Sequence, residues 1–157
     1  MGADKGYALS AGEGRGGPSG FLGTPVRMLV GGEETGGAYT LLQQAAERGF
    51  GPPLHVHHSE DEAFYLLSGS LRVVCGSDQW EVGAGGFVFL PREVPHSFLV
   101  TSETAEVLQL TTPSGFEHFA ADLADVPLIE ANIPRIAEAS QRHGYEILGP
   151  PPFPRGA

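Results

Sequence analysis

Three histidines and three carboxylates crowd into the eight positions from His55 to Glu62, in the run Leu54-His55-Val56-His57-His58-Ser59-Glu60-Asp61-Glu62. In a β-strand, residues two apart point to the same face, so His55 and His57 can turn inward together. Their imidazoles could then hold one ion as adjacent ligands, at about 2.0–2.1 Å for a zinc-like ion. A turn over His58–Asp61 would return the chain, so that Glu62 opens the next strand with its carboxylate toward the same interior. A further imidazole, His96, follows Pro91 and Pro95. Three neutral nitrogens and one carboxylate leave positions free for water, O2 or a chelating substrate, as catalysis requires. The expected cofactor is one divalent transition metal ion (iron, nickel, cobalt, manganese or zinc), held by His55, His57, Glu62 and His96.

Other polar residues carry blander expectations. His58 is out of phase with His55 and His57 and should face solvent or the barrel rim. Glu60 and Asp61 read as a solvated turn. His118 and His143 fall on predicted helices as ordinary polar residues. Cys75 ends the apolar run Leu71–Cys75 and reads as a small buried side chain. It is the sole cysteine, so no intrachain disulfide can form.

The elements that would position these groups are short. Strands are predicted at Val26–Val30, Ala38–Gln44, Leu54–His58, Glu62–Leu67, Ser70–Cys75, Gln79–Val82, Gly86–Leu90, His96–Thr101 and Ala105–Leu110. Turn chemistry separates them at Ser68-Gly69, Gly76-Ser77-Asp78, Gly83–Gly86 and Arg92–Pro95. Such spacing without intervening helices predicts an all-β antiparallel barrel or jelly roll across residues 21–112. Residues 1–20 carry seven glycines and read as a flexible or loosely strapped tail. Beyond residue 112 the period changes. Phe116, Phe119, Ala120 and Leu123 recur at helical spacing, as do Ile133, Ile136, Ala137 and Ser140, with Gly144 just past the end. Residues 113–157 are therefore expected to pack on the barrel as a helical extension ending in an extended, Pro-rich tail.

Composition removes several classes of function. The chain of 157 residues has 19 acidic against 9 basic residues, a net charge of −10. A surface this negative repels nucleic-acid phosphates and anionic lipid headgroups. No apolar stretch approaches the ~20 residues of a membrane helix, and no signal-peptide core opens the chain. The expected setting is cytoplasmic.

The residues also fit a known pattern: the sequence resembles the cupins. Their first motif, Gly-x5-His-x-His-x3–4-Glu-x6-Gly, runs here through Gly49, His55, His57, Glu62 and Gly69. The second, Gly-x5-Pro-x-Gly-x2-His-x3-Asn, is met by Gly85, Pro91 and His96, with Glu93 in place of its second glycine and Val100 in place of its asparagine. Those two departures bear on the turn before His96 and leave the ligands untouched. Within the family, the runs Pro52–Glu62 with Phe64-Tyr65, and Phe89–Arg92 leading to Val94–Phe98, are similar to the quercetin dioxygenase group. The resemblance implies a double-stranded β-helix and a metal-dependent oxidoreductase that oxygenates or cleaves a flavonol-like or polyketide-like aromatic enol with O2. Glu62 would be its catalytic base, with a pKa raised by burial and lowered by the cation. Other readings compatible with the fold are a non-redox cyclase, isomerase or lyase, and a cupin that only binds its ligand.

If Glu62 and His96 point inward, period two brings Phe64 and Leu66, and Phe98 and Val100, to the same interior. Met28, Tyr39 and Leu41, Phe87 or Phe89, and Leu108 or Leu110 are further candidates for the wall. Phe64, Leu66, Phe98, Tyr39 and Met28 are the expected substrate-binding set, suited to a small apolar or aromatic molecule. The resemblance also implies a homodimer, expected to exchange elements within residues 20–45.

Overall fold

A computed structural model describes residues 3–154. Residues 1–2 of the expected tail and 155–157 of the expected extension lie outside the described residues. Two antiparallel sheets face each other in a double-stranded β-helix. The first has the order β1 (Gly20–Phe21), β2 (Thr24–Val30), β3 (Thr40–Glu47), β10 (Thr104–Thr112), β5 (Asp61–Ser68) and β8 (Phe87–Leu90). The second has β11 (Tyr145–Gly149), β4 (Leu54–His57), β9 (His96–Val100), β6 (Ser70–Cys75) and β7 (Asp78–Gly83). All nine expected strands are present, with ends shifted by a few residues. β1 and β11 are additional, and a one-turn helix α1 (Gly32–Thr35) occupies the turn-rich stretch before β3.

The strands turn where the sequence permits it. Gly69, between β5 and β6, has φ +81°, and a Cβ there would collide with the carbonyl oxygen of Thr104. Only glycine satisfies both constraints. Strand alternation then builds a core inside the barrel from Phe64, Leu66, Leu71, Val73, Phe98, Val100 and their neighbours.

A second core lies where the C-terminal helices meet the barrel. α2 (Phe116–Asp122) buries Phe116, Phe119 and Ala120, and α3 (Ile133–Arg142) buries Ile136, Ala139 and Ser140. Each set follows the i, i+3, i+4 stripe of an amphipathic helix. They pack against Leu22, Met28, Leu42 and Tyr145. α3 ends before Gly144, whose φ of +81° turns the chain into β11. The Gly-rich segment runs along β2: the Arg15 amide donates to the Met28 carbonyl, the Arg27 guanidinium to the Glu13 carbonyl, and the Tyr7 hydroxyl to the Leu29 carbonyl. Among the described residues no helix is long and apolar enough to cross a membrane.

Candidate metal centre

β4 lies between β11 and β9, and His55 of β4 is directly opposite His96 of β9. Because His57 lies two residues beyond His55, its ring turns to the same side. The three imidazole centroids are 4.5–5.1 Å apart. One ring nitrogen from each lies within 4.8 Å of the others.

Hydrogen bonds on the far side of each ring fix which nitrogen is free. Nδ1–H of His55 donates to the Pro53 carbonyl at 2.7 Å, and that of His96 to the Val94 carbonyl at 3.1 Å. His57 donates its own to Glu60 Oε1 at 3.0 Å. With Nδ1 committed as donor, each Nε2 carries a lone pair. His96 Nε2 is buried and has no hydrogen-bond partner among the described residues. An orphaned acceptor of that kind is costly unless something else binds it.

Glu62 approaches from the facing sheet. Its two carboxylate oxygens lie 3.7 Å from His57 Nε2 and 3.7 Å from His96 Nε2, too far for hydrogen bonds. That spacing suits donor atoms around a shared ion. Gln109 of β10 donates to Glu62 Oε2 at 3.4 Å. The donor set therefore fits a divalent ion: three neutral nitrogens from one sheet and one carboxylate from the other.

The electrostatics separate the members of the site. Burial, then the neighbouring His96 and His57 rings, push the His55 imidazole down to about 3, so it stays neutral. For His57 burial lowers the pKa, but Glu62 and Glu60 on either side outweigh it and raise the value. Burial pushes Glu62 up, yet His57 and His96 hold it down to about 2. Among these imidazoles Glu62 remains ionised.

His55, His57 and Glu62 line a partly open cavity of about 60 Å³. Phe64 and Phe98, both expected in the wall, are in it; among the described residues no lysine or arginine is. Phe21, Leu22, Phe50, Phe116, Phe119 and Ile136 are among the other apolar residues of the wall, and Gln44, Gln109, Ser140 and Tyr145 are polar members. Three of the expected substrate residues are elsewhere. Leu66 shares the face of Glu62 but sits four residues along β5, about 13 Å deeper at strand rise, in the barrel core. Met28 points into the core beneath the helices. Tyr39 precedes β3 and is 39% exposed, because α1 and its turn take up the residues expected to start that strand. Phe87 and Phe89, of which one was expected inside, both face outward.

Residues 42–111 match the family model described as a cupin domain. Over those residues the barrel matches a cupin domain. The match takes in His55, His57, Glu62 and His96 and stops before the helices that cap the cupin barrel. Quercetin 2,3-dioxygenase of Bacillus subtilis is 24% identical over 120 residues, covering 76% of this chain and 35% of its own length. This chain therefore spans about a third of that relative. Oxalate decarboxylase of the same species, a protein with Mn(II) centres, is 26% identical with a TM-score of 0.54, covering 61% of this chain and 27% of that one. KdgF from Halomonas superposes with a TM-score of 0.55 at 15% identity, covering 60% of this chain and 83% of the other, a likeness of fold alone.

Sequence reasoning missed two residues of the cupin site. Glu60 is 6% exposed, not part of a solvated turn, because Tyr145 covers it. Asp61 does stay near the surface and pairs with Arg92. His58 sits outside the cluster, as its phase requires, and its ring nitrogens meet Glu93 and Glu146. The alternating run Tyr145-Glu146-Ile147-Leu148 after Gly144 was the available signal for β11.

Proposed function

We propose that this chain is a metal-dependent cupin enzyme that oxygenates or cleaves a small, uncharged aromatic or enolic substrate with O2. The observation that carries this reading is the buried ring of three Nε2 lone pairs, one of them orphaned, facing the Glu62 carboxylate beside an apolar cavity. His55, His57, His96 and Glu62 would hold the ion. When bound, the ion supplies a Lewis acid that favours the anionic form of a substrate oxygen. Glu62 remains ionised and accepts the proton that the substrate's hydroxyl gives up. Gln109 steadies the Glu62 oxygen that it already touches.

The wall argues for the substrate's character. With no lysine or arginine on it among the described residues, a dicarboxylate or phosphate would bring charge that only the ion could balance, whereas a neutral enol or phenol suits the aromatic lining. The space is far below the ~300–1,000 Å³ of sites for drug-sized ligands. A flavonol-sized molecule needs the cap formed by Phe21, Leu22, Phe116, Phe119 and Ile136 to move outward. The likeness to quercetin 2,3-dioxygenase supports the oxidative chemistry. A non-redox reading draws on the likeness to oxalate decarboxylase.

Metal analysis of the purified protein, with His57→Ala and His96→Ala variants, tests the site. Near-stoichiometric metal in the wild type and loss of most of it in both variants is expected; full retention in both refutes the site. Oxygen uptake is then followed with small enols and flavonols. Conversion without O2 consumption selects the non-redox reading, and recovery of unchanged ligand selects binding alone.

A further inference from the structure

A second buried carboxylate lies behind His57, and the four-residue ligand set makes no use of it. Glu60 Oε1 accepts the Nδ1–H of His57 at 3.0 Å and the hydroxyl of Tyr145 at 2.7 Å. All three residues are more than nine-tenths buried. Tyr145 is also the cross-strand partner of His57 between β11 and β4, and their ring centroids are 4.4 Å apart. The ring of His57 is thus held on its edge by Glu60 and on its flank by Tyr145.

The other two imidazoles have no such support. His55 and His96 donate to main-chain carbonyls of residues two before them. A carboxylate behind an imidazole makes its far nitrogen a better donor and fixes the ring's tautomer and orientation. Charge counting gives Glu60 a second role. A divalent ion with ionised Glu62 leaves one positive charge in an apolar cavity without lysine or arginine among the described residues. The charge of Glu60, behind the His57 ring, brings the sum to zero and reduces the cost of burying the ion.

We propose that Glu60 and Tyr145 are positioning residues of the metal centre, acting through His57 to set how tightly the ion is held. The inference rests on the metal reading above and extends it to β11, a strand outside the matched residues 42–111. Tyr145 keeps Glu60 Oε1 aimed at His57, so the C-terminal segment contributes to metal affinity without offering a ligand.

The test measures dissociation constants for Co(II) and Zn(II) by chelator competition in the wild type, Glu60→Ala, Glu60→Gln and Tyr145→Phe, with His96→Ala as the site control. The Co(II) absorption spectrum and the melting temperature of the metal-free protein accompany each. Glu60→Ala is expected to weaken binding about 10–100-fold. Glu60→Gln, which keeps an acceptor but loses the charge, should fall between it and the wild type. Tyr145→Phe keeps the ring against His57 and should show a smaller loss with an altered Co(II) spectrum. Folded Glu60→Gln and Tyr145→Phe proteins that bind both ions as the wild type does would overturn the proposal, even with lowered melting temperatures. A wild type that binds neither ion, or one whose binding survives His96→Ala, would overturn the metal reading and this inference with it.

Discussion

Glu93 stands where the second cupin motif has glycine, and its backbone nonetheless adopts φ +67°. The turn before His96 keeps the left-handed shape that a glycine would take without strain. Its amide donates to the His57 carbonyl at 2.8 Å, so this strained residue ties the loop before one imidazole to the strand of another. The side chain reaches His58, an exposed pairing that contributes little. Relief of left-handed strain in Glu93→Gly, about 1 kcal/mol, is opposed by the greater freedom of glycine in the unfolded chain and by loss of the His58 contact. The expected net change is within about 0.5 kcal/mol. Glu93→Val, whose branched Cβ resists positive φ, should destabilise by about 1–2 kcal/mol. Urea unfolding of the two variants checks the contrast. A similar loss in both would place the importance of residue 93 in its side chain.

Among the elements, one carboxylate joins α2 to two that are distant in sequence, α1 and β3. Glu117 of α2 accepts the Gly32 amide of α1 at 2.6 Å, the Thr40 hydroxyl of β3 at 2.6 Å and the Gly115 amide at 2.8 Å. Burial pushes its pKa up, but those donors outweigh it and hold the carboxyl below its ordinary 4.5. A carboxyl lowered by folding adds stability above its unfolded value and loses it as the pH falls through the folded one. Glu117→Gln is therefore expected to cost about 1–2 kcal/mol at neutral pH, allowing for partial exposure. The gap to the wild type should narrow as pH drops below about 4.5, which urea midpoints across that range will show. A gap that stays constant with pH would mean that shape, not charge, makes the staple. The staple was invisible in the sequence, because nothing in Phe116–Asp122 indicates which amides it will meet. Period two placed His55, His57, Glu62, Phe64 and Leu66 on the correct faces, since alternation dictates face. It says nothing of depth along a strand, and so Leu66 was assigned to a cavity it does not reach. Glu60 and Tyr145 escaped because their burial depends on β11 crossing back to β4, a pairing across more than eighty residues.

For the whole molecule, the feature left without a partner is the outer face of the six-stranded sheet. At its open edge, β8 exposes Phe87 by 62% and Phe89 by 52%, and the neighbouring Tyr65 of β5 is 46% exposed. Cross-strand register carries the stripe inward: Phe87 lies opposite Tyr65, which lies opposite Leu108, while Phe89 lies opposite Ala63, followed by Leu110 and Leu41. Asp61 and Glu106 flank the stripe on β5 and β10, and Arg27 and Glu47 lie on the same face farther across the sheet, on β2 and β3. A chain of net charge −10 repels its own copies over most of its surface, so an uncharged stripe is where association costs least. The stripe can meet itself about a two-fold axis, and the free backbone of β8 offers antiparallel pairing in the same geometry. We propose this face of β5, β8 and β10 as a site for the homodimer expected from sequence, alongside the expectation of exchange within residues 20–45. Light scattering should return twice the chain mass for the wild type. Phe87→Glu with Phe89→Glu puts two charges on the stripe of each copy and should give the monomer, while metal content stays unchanged because neither residue lines the cavity. A monomeric wild type, or a double variant that remains dimeric, would rule this face out as the interface.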